Sequence, residues 1–292
     1  IKVEKQILTN VIDTANFQRL RNVVQTSYSP LYSSAVHNRF VHSLGVYHLG
    51  KIVTKTILCN SSRYEGVNNV ERWLQLFEIA CLLHDVGHAP FSHTGEVYYL
   101  DNGDRTVLHK LIVDLTGDKI LEEEISKKSK DYKAAPHELM SVVVSLKVFP
   151  QLFKTSEEKS FFARCISGYQ YTYADGDSKL SFLNCLISLL NSDVIDVDKL
   201  DYLIRDAYIT GFDTISIDYE RLLTNIRIRR NVENSQYDVV YKKGAISVIE
   251  NVVYAHDAER KWIQNHPVVK YEGYLQQKAI EKILKKYDNN LF

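Results

Sequence analysis

"LLHDVGHAPFSH", residues 82–93, follows directly on the apolar run Ile79-Ala80-Cys81. His84, Asp85, His88 and His93 crowd into this one stretch, in a chain with only 10 histidines. A packed core has no use for several imidazoles and a carboxylate side by side, because each loses its hydration on burial. A metal ion is the partner that compensates such a group. Upstream, Trp73, Phe77 and Ala80 repeat at helical spacing, which predicts a helix over 71–85 whose apolar face leads to His84, with Gly87 as its stop. Successive helical side chains diverge by about 100°, so His84 and Asp85 can both reach an ion off the helix end. His84 taken alone reads as a core or helix-end histidine, and the pair becomes informative only with ligands from elsewhere.

Two other stretches offer them. "VHNRFVHSLG" (36–45) supplies His37 and His42 with Arg39 between them, and "NSDVIDVDKLDYLIRDA" (191–207) supplies Asp193, Asp196, Asp198, Asp201 and Asp206. On a helix, Lys199, Tyr202 and Asp206 fall at i, i+3, i+7, while Leu200, Leu203 and Ile204 point to the core. That polar stripe reads either as a solvated face or as part of a site.

The rest of the chain predicts helix over 139–149, 180–192, 197–209, 245–264 and 272–287, and along Leu44, Leu49, Ile52 and Val53. Near the N-terminus, Phe17, Leu20 and Val24 form an apolar face after an Asp13-Thr14 cap. Gln18, Arg21 and Gln25 form a polar stripe beside it, which from spacing alone is a solvated face. The run "GDKILEEEISKKSKDYKAA" within 101–135 is charged enough to predict a peripheral helix or mobile loop. The only clear β signal is "NIRIRRNVENSQYDVVYKK", which alternates, turns near 233–235 and alternates again, predicting a hairpin. The expected architecture is mainly α, one helical bundle with a small β-hairpin late in the chain. Residues 1–225 would form the core, and 226–292 a hairpin and C-terminal helices packed on it.

Bulk composition agrees with a globular chain of 292 residues, 45% hydrophobic and 25% charged. Lys+Arg and Asp+Glu balance at 36 each, which argues against nucleic acid as the main partner or an anionic membrane surface. The 4 cysteines include no CxxC pair, which points away from a disulfide framework and a thiolate zinc site and towards a reducing, cytoplasmic setting. No stretch has the length of a membrane span or the anatomy of a signal peptide. The first residue is Ile1 rather than Met, as expected of a piece of a longer protein.

Five stretches in this order carry a resemblance: "IDTANFQRLRNVVQ" (12–25), "HNRFVHSLGVYHLG" (37–50), "HDVGHAPFSHTGE" (84–96), "HELMS" (137–141) and "DVDKLDYLIRDAYITG" (196–211). The series resembles that of the HD-domain deoxynucleoside triphosphate triphosphohydrolases, over roughly residues 10–225. The resemblance implies a mainly helical HD fold and cleavage of dNTPs to deoxynucleoside and inorganic triphosphate. It implies that His42, His84, Asp85 and Asp198 hold a divalent metal. Donors of this kind suit Mg, Mn, Fe or Zn. Arg39 and Lys199 would meet the triphosphate, and Tyr202 and Asp206 the sugar. His88, His93, Glu96 and His137 match a cluster that transfers a proton to the leaving 5′-oxygen. His137 also reads simply as a cap for the helix starting near Pro136.

Asp13, Gln18 and Arg21, with Gln25 on the same stripe, match residues that bind an activating GTP or dGTP between subunits, which implies a homo-oligomer, a tetramer by analogy. The match weakens late in the chain. Where the family places an arginine and a tyrosine near the substrate, an ungapped reading of "YAHDAERKWIQNH" gives His256 and Gln264, with Arg260 and Lys261 as substitutes. Two competing readings are an HD phosphohydrolase or nucleotidase for another nucleotide, and a non-catalytic nucleotide-binding HD module.

Overall fold

The computed structural model describes residues 1–59, 64–100, 104–127, 134–174, 176–212 and 216–287. The elements run in the order α1 (Lys5–Ile7), α2 (Ala15–Gln18), α3 (Arg39–Cys59), α4 (Val70–Leu83), α5 (Thr106–Thr116), α6 (Lys119–Lys127) and α7 (Pro136–Val148). They continue with α8 (Ser156–Ser167), α9 (Ser178–Leu190), α10 (Val197–Thr210), α11 (Tyr219–Thr224), β1 (Ile226–Arg230), β2 (Tyr237–Tyr241), α12 (Ile246–Glu259) and α13 (Pro267–Lys286). The fold is mainly α, as the periodicities predict, and its sheet is the hairpin β1–β2, antiparallel with Ile226 opposite Tyr241 and Arg230 opposite Tyr237.

Helix α3 is the axis of the bundle. It touches α4, α10, α11 and β1, and Phe40, Val46, Tyr47, Leu49, Val53 and Ile57 are all buried along it. Gly45 lets α10 come close: a Cβ there would stand 1.9 Å from Asp201 Oδ1. Helix α10 starts where the Asp196 side chain accepts the Lys199 backbone N–H, and it ends at Gly211 with φ 67°. The hairpin packs on α9 and α3, and the Tyr237 N–H donates to Ser181 Oγ at 3.1 Å.

Three expectations need correction. The N-terminal helix stops early: a 3₁₀ turn, Arg19–Asn22, follows α2, and Val23 is already extended. Adjacent β-branched valines favour that geometry, and the Gln25 N–H then donates to the His37 carbonyl at 2.9 Å. Phe17 and Leu20 are fully buried, but Val24 is 43% exposed, and Gln25 turns inward, off the stripe of Gln18 and Arg21.

Gly87 is not the stop of α4, which ends at Leu83 with His84 as its C-cap. The glycine is needed for close approach instead, because a Cβ would meet Ser141 N at 2.3 Å.

The charged run is only partly peripheral. Leu121 is buried, and the buried Arg164 of α8 ties the segment down through Asp118 at 3.0 Å and Glu124 at 2.5 Å. Residues 128–133 of that run lie outside the described residues. Among the described residues, no helix is long and apolar enough to cross a membrane.

Candidate metal centre and cleft

Helix termini build the site. Arg39 opens α3 and His42 follows one turn later. His84 caps the C-terminus of α4, Asp85 and His88 lie in the turn beyond it, and His93 and Glu96 sit on the 3₁₀ helix Ser92–Tyr99. His137 lies in the first turn of α7, and Asp198 and Lys199 in the first turn of α10. Helix ends suit this purpose because side chains there project past the last turn into a shared space.

Two clusters form. In the first, His42 Nε2 and His84 Nε2 face each other at 3.2 Å, and Asp198 Oδ1 lies 2.9 Å from His42 and 3.5 Å from His84. Asp85 Oδ2 stands 3.5 Å from each of the same two nitrogens. The other nitrogen of each ring is committed: His42 Nδ1 points at Asp201 Oδ2 (2.8 Å) and His84 Nδ1 at the Cys81 carbonyl (2.9 Å). Since carboxylates and carbonyls only accept, both Nδ1 atoms carry the proton, and in neutral rings both Nε2 lone pairs point into the same space. Two such lone pairs at 3.2 Å repel unless a cation lies among them. A proton can serve. Burial pulls the His42 pKa down, but Asp198 and Asp201 outweigh it and raise it to about 10. A divalent ion fits the same donor set, two imidazoles and a carboxylate within 4.8 Å of one another.

The second cluster converges on Glu96 Oε1, to which His93 Nδ1 (2.5 Å) and His137 Nδ1 (2.9 Å) donate. His88 stacks on His137 with ring centroids 4.1 Å apart and planes 13° apart. Environment divides the rings. Burial lowers His88 well below the usual imidazole range, and the charges of Arg39 and His137 add to this. Burial works against protonation of His137 as well, but its bond to Glu96 outweighs that and raises it. Their surroundings therefore push the two stacked rings in opposite directions. Asp85 links the clusters, because its Oδ1 lies 3.2 Å from His88 Nε2 while Oδ2 serves the first cluster and Arg39 (2.7 Å).

Both clusters open onto a cleft of about 740 Å³. Arg39, Asp85, His93, His137, Asp198, Lys199, Tyr202 and Asp206 all line it, so the α10 stripe faces the cleft. Arg39 is also held by Ser92 Oγ at 2.7 Å. Lys199 Nζ is engaged by Asp196 (2.6 Å) and the Ser192 carbonyl (2.5 Å). Gln264 lines the cleft, but His256, Arg260 and Lys261 do not; Lys270 and Tyr274 of α13 do. Asp13, Gln18 and Arg21 lie away from it, whereas Gln25 lines it.

Sequence reasoning named Asp201 only as one carboxylate of its stretch; it orients His42 and is itself held by Arg205 through bonds of 2.9 and 2.8 Å. Its position three residues after Asp198 put it one turn along the same helix, a signal that was available. The same reasoning missed Tyr28, Glu259 and the α13 residues, which no local motif marks.

A model of the HD domain matches residues 39–144. The chain is 28% identical over 245 residues to an uncharacterized protein of Mycoplasma genitalium, covering 82% of this chain and 48% of that protein. It is 29% identical over 218 residues to the deoxynucleoside triphosphate triphosphohydrolase SAMHD1 homolog of Dictyostelium discoideum, covering 74% of this chain and 36% of the homolog. In fold it is similar to the crystal structure of a hypothetical protein from Aquifex aeolicus, with TM-score 0.63, 24% identity, and coverage of 99% of this chain and 62% of that one. The chain spans about half the length of the curated bacterial and archaeal relatives it matches. Residues 39–144 thus match the HD domain, and the chain is similar in sequence to the SAMHD1 triphosphohydrolases.

Proposed function

We propose that this chain is a metal-dependent phosphohydrolase that cleaves deoxynucleoside triphosphates to deoxynucleoside and inorganic triphosphate. The observation that carries this reading is the pair of opposed Nε2 atoms beside Asp198, set next to a separate cluster in which His93 and His137 converge on Glu96. His42, His84 and Asp198 would hold the ion, with Asp85 beside them. When bound, a divalent ion (Mg, Mn, Fe or Zn) polarises a phosphoryl oxygen and makes a bound water more acidic.

The remaining work falls to the chain's own groups. Arg39, fixed by Asp85 and Ser92, presents a planar fork to phosphate oxygens, and Lys199 adds a point charge. His137 keeps its Nδ1–H on Glu96, so its transferable proton sits on Nε2, available to a leaving 5′-oxygen. Tyr202 and Asp206, further along the cleft wall, would take the sugar.

The same reading extends to regulation. Asp13 and Arg21 are exposed, Arg21 lies over the Phe40 ring at 3.7 Å, and its Nε donates to Gln18 Oε1 at 2.7 Å. This is a surface on which a guanine nucleotide would sit between subunits of a homo-oligomer. Gln25 belongs instead to the substrate cleft.

The deciding experiment incubates the protein with each dNTP and each of the four metals and identifies both products. Deoxynucleoside with intact triphosphate is expected, and His84→Ala/Asp85→Ala should lose both bound metal and activity. Release of inorganic phosphate or pyrophosphate would place the chain among other HD phosphohydrolases. Full turnover by the double variant would remove the site assignment.

A further inference from the structure

The cleft wall beyond Tyr202 holds two buried carboxyl groups that neither histidine cluster uses. Asp206, from α10, is 1% exposed, and Glu259, the last residue of α12, is 3% exposed. Both line the cleft, close enough for the charge of Asp206 to act on Glu259. Two carboxyl groups so near at such depth resist ionising together, which favours a proton on Glu259.

The surroundings decide where it resides. Glu259 Oε1 accepts from Gln264 Nε2 at 3.0 Å, a position reached because the helix passes into a π turn, Arg260–Gln264, immediately after Glu259. Asp206 faces His37, its Oδ1 2.6 Å from Nε2 in a geometry too bent to count as a hydrogen bond. Asp206 thus has an imidazole beside it, whereas Glu259 has only neutral partners. Burial, and then the charge of Asp206, push the Glu259 pKa up to about 8.

This end of the cleft also holds unpartnered polar atoms. Gln25 Oε1 and Thr26 Oγ1 are buried without a hydrogen-bond partner, and both residues line the cleft beside Asp206. Buried polar atoms left this way cost about 1–3 kcal/mol each, so the geometry calls for a ligand that brings hydroxyl groups. The histidine and arginine end, by contrast, calls for phosphate.

We infer that Glu259 is a ligand-positioning residue, acting with Asp206 as an acid pair that grips the hydroxyl-bearing sugar of the bound nucleotide. The inference rests on the nucleotide reading above, and it adds a residue and a proton to it. The ligand hydroxyl donates to an oxygen of the ionised partner and accepts from the neutral one, so a single hydroxyl is held in both senses. Loss of the proton on Glu259 adds a negative charge to the recess and removes the carboxyl donor, so sugar binding weakens as pH rises through about 8. The other groups facing Glu259 are Tyr28 from the N-terminal segment, Tyr202 and Asp206 from α10, and Gln264. Both phenols are held above the usual range, chiefly by burial, so neither titrates in that window.

The test uses two probes on the intact chain. Each of the four 2′-deoxynucleosides, which carry the sugar without phosphate, is titrated calorimetrically at about pH 7 and about pH 9. Inorganic triphosphate, which carries no sugar, is titrated in parallel. Wild type should bind at least one nucleoside and lose several-fold in affinity at the higher pH. Glu259→Ala should lose about 10-fold at the lower pH, the worth of one hydrogen bond, and show no further loss at the higher. Glu259→Gln, which keeps a neutral donor and acceptor, should restore affinity and make it independent of pH. Triphosphate affinity should be the same in all three. The inference is overturned if no nucleoside binds, if Glu259→Ala binds as wild type does, or if Glu259→Gln keeps the wild-type pH response. Nucleoside binding that depends on Glu259 in a chain that hydrolyses no dNTP would sink the catalytic reading alone.

Discussion

At the scale of single residues, the division of labour between His88 and His137 is the most consequential detail. The rings stack at 4.1 Å, yet burial lowers the pKa of His88 whereas the 2.9 Å bond to Glu96 raises that of His137. His137→Ala is therefore expected to lower turnover by about 10²–10⁴-fold, the usual worth of a positioned proton donor, while metal content stays at the wild-type level. Metal analysis and steady-state rates on the folded variant check it. Wild-type turnover would mean that His137 only caps α7. The grouping of His88, His93, Glu96 and His137 comes from the family resemblance rather than from spacing, and the structure brings the four together. What was not legible is which ring holds the proton, because that depends on distances to Glu96 and Arg39 that no spacing encodes.

At the scale of elements, the cleft exists because helix ends meet, and one contact sets how closely. The turn after α4 presses on α7 where Gly87 N donates to Ser141 Oγ at 2.9 Å, and a Cβ on Gly87 would meet the Met140 carbonyl carbon at 2.4 Å. Backbone cannot yield as a side chain can, so Gly87→Ala should destabilise the fold by at least about 1–3 kcal/mol and move His88 off His137. A thermal melt and the rate together test this, and an unchanged melting temperature with full activity would contradict the packing account. Helix periodicity gave most of the elements correctly, because buried faces such as that of α4 repeat cleanly. It failed where local chemistry overrides period. At Val23 and Val24 extended chain wins over helix, and in the charged run Arg164 draws Asp118 and Glu124 against the core. The π turn after α12, which brings Gln264 into the cleft, also escapes a reading that assumes one uniform helix.

At the scale of the whole molecule, the proposed guanine-nucleotide surface makes a prediction about assembly. Activity on other dNTPs should rise when GTP or dGTP is added, along with the mass measured by light scattering, and Asp13→Ala or Arg21→Ala should abolish both responses. An activator can act only through tighter binding to the active assembly, so unchanged rate and mass in the wild type would leave this surface a plain solvated face. The two ends of the cleft also come from different parts of the chain. The reactive end is spelled by 39–42, 84–96, 137 and 198–199, whereas Glu259, Gln264, Lys270 and Tyr274 of the opposite wall lie far downstream. In hereditary terms these are separate parcels of text. Mutation or recombination in the downstream parcel can retune which molecule is admitted while the histidines go on unchanged, so a lineage of such proteins is free to change its diet without relearning its chemistry.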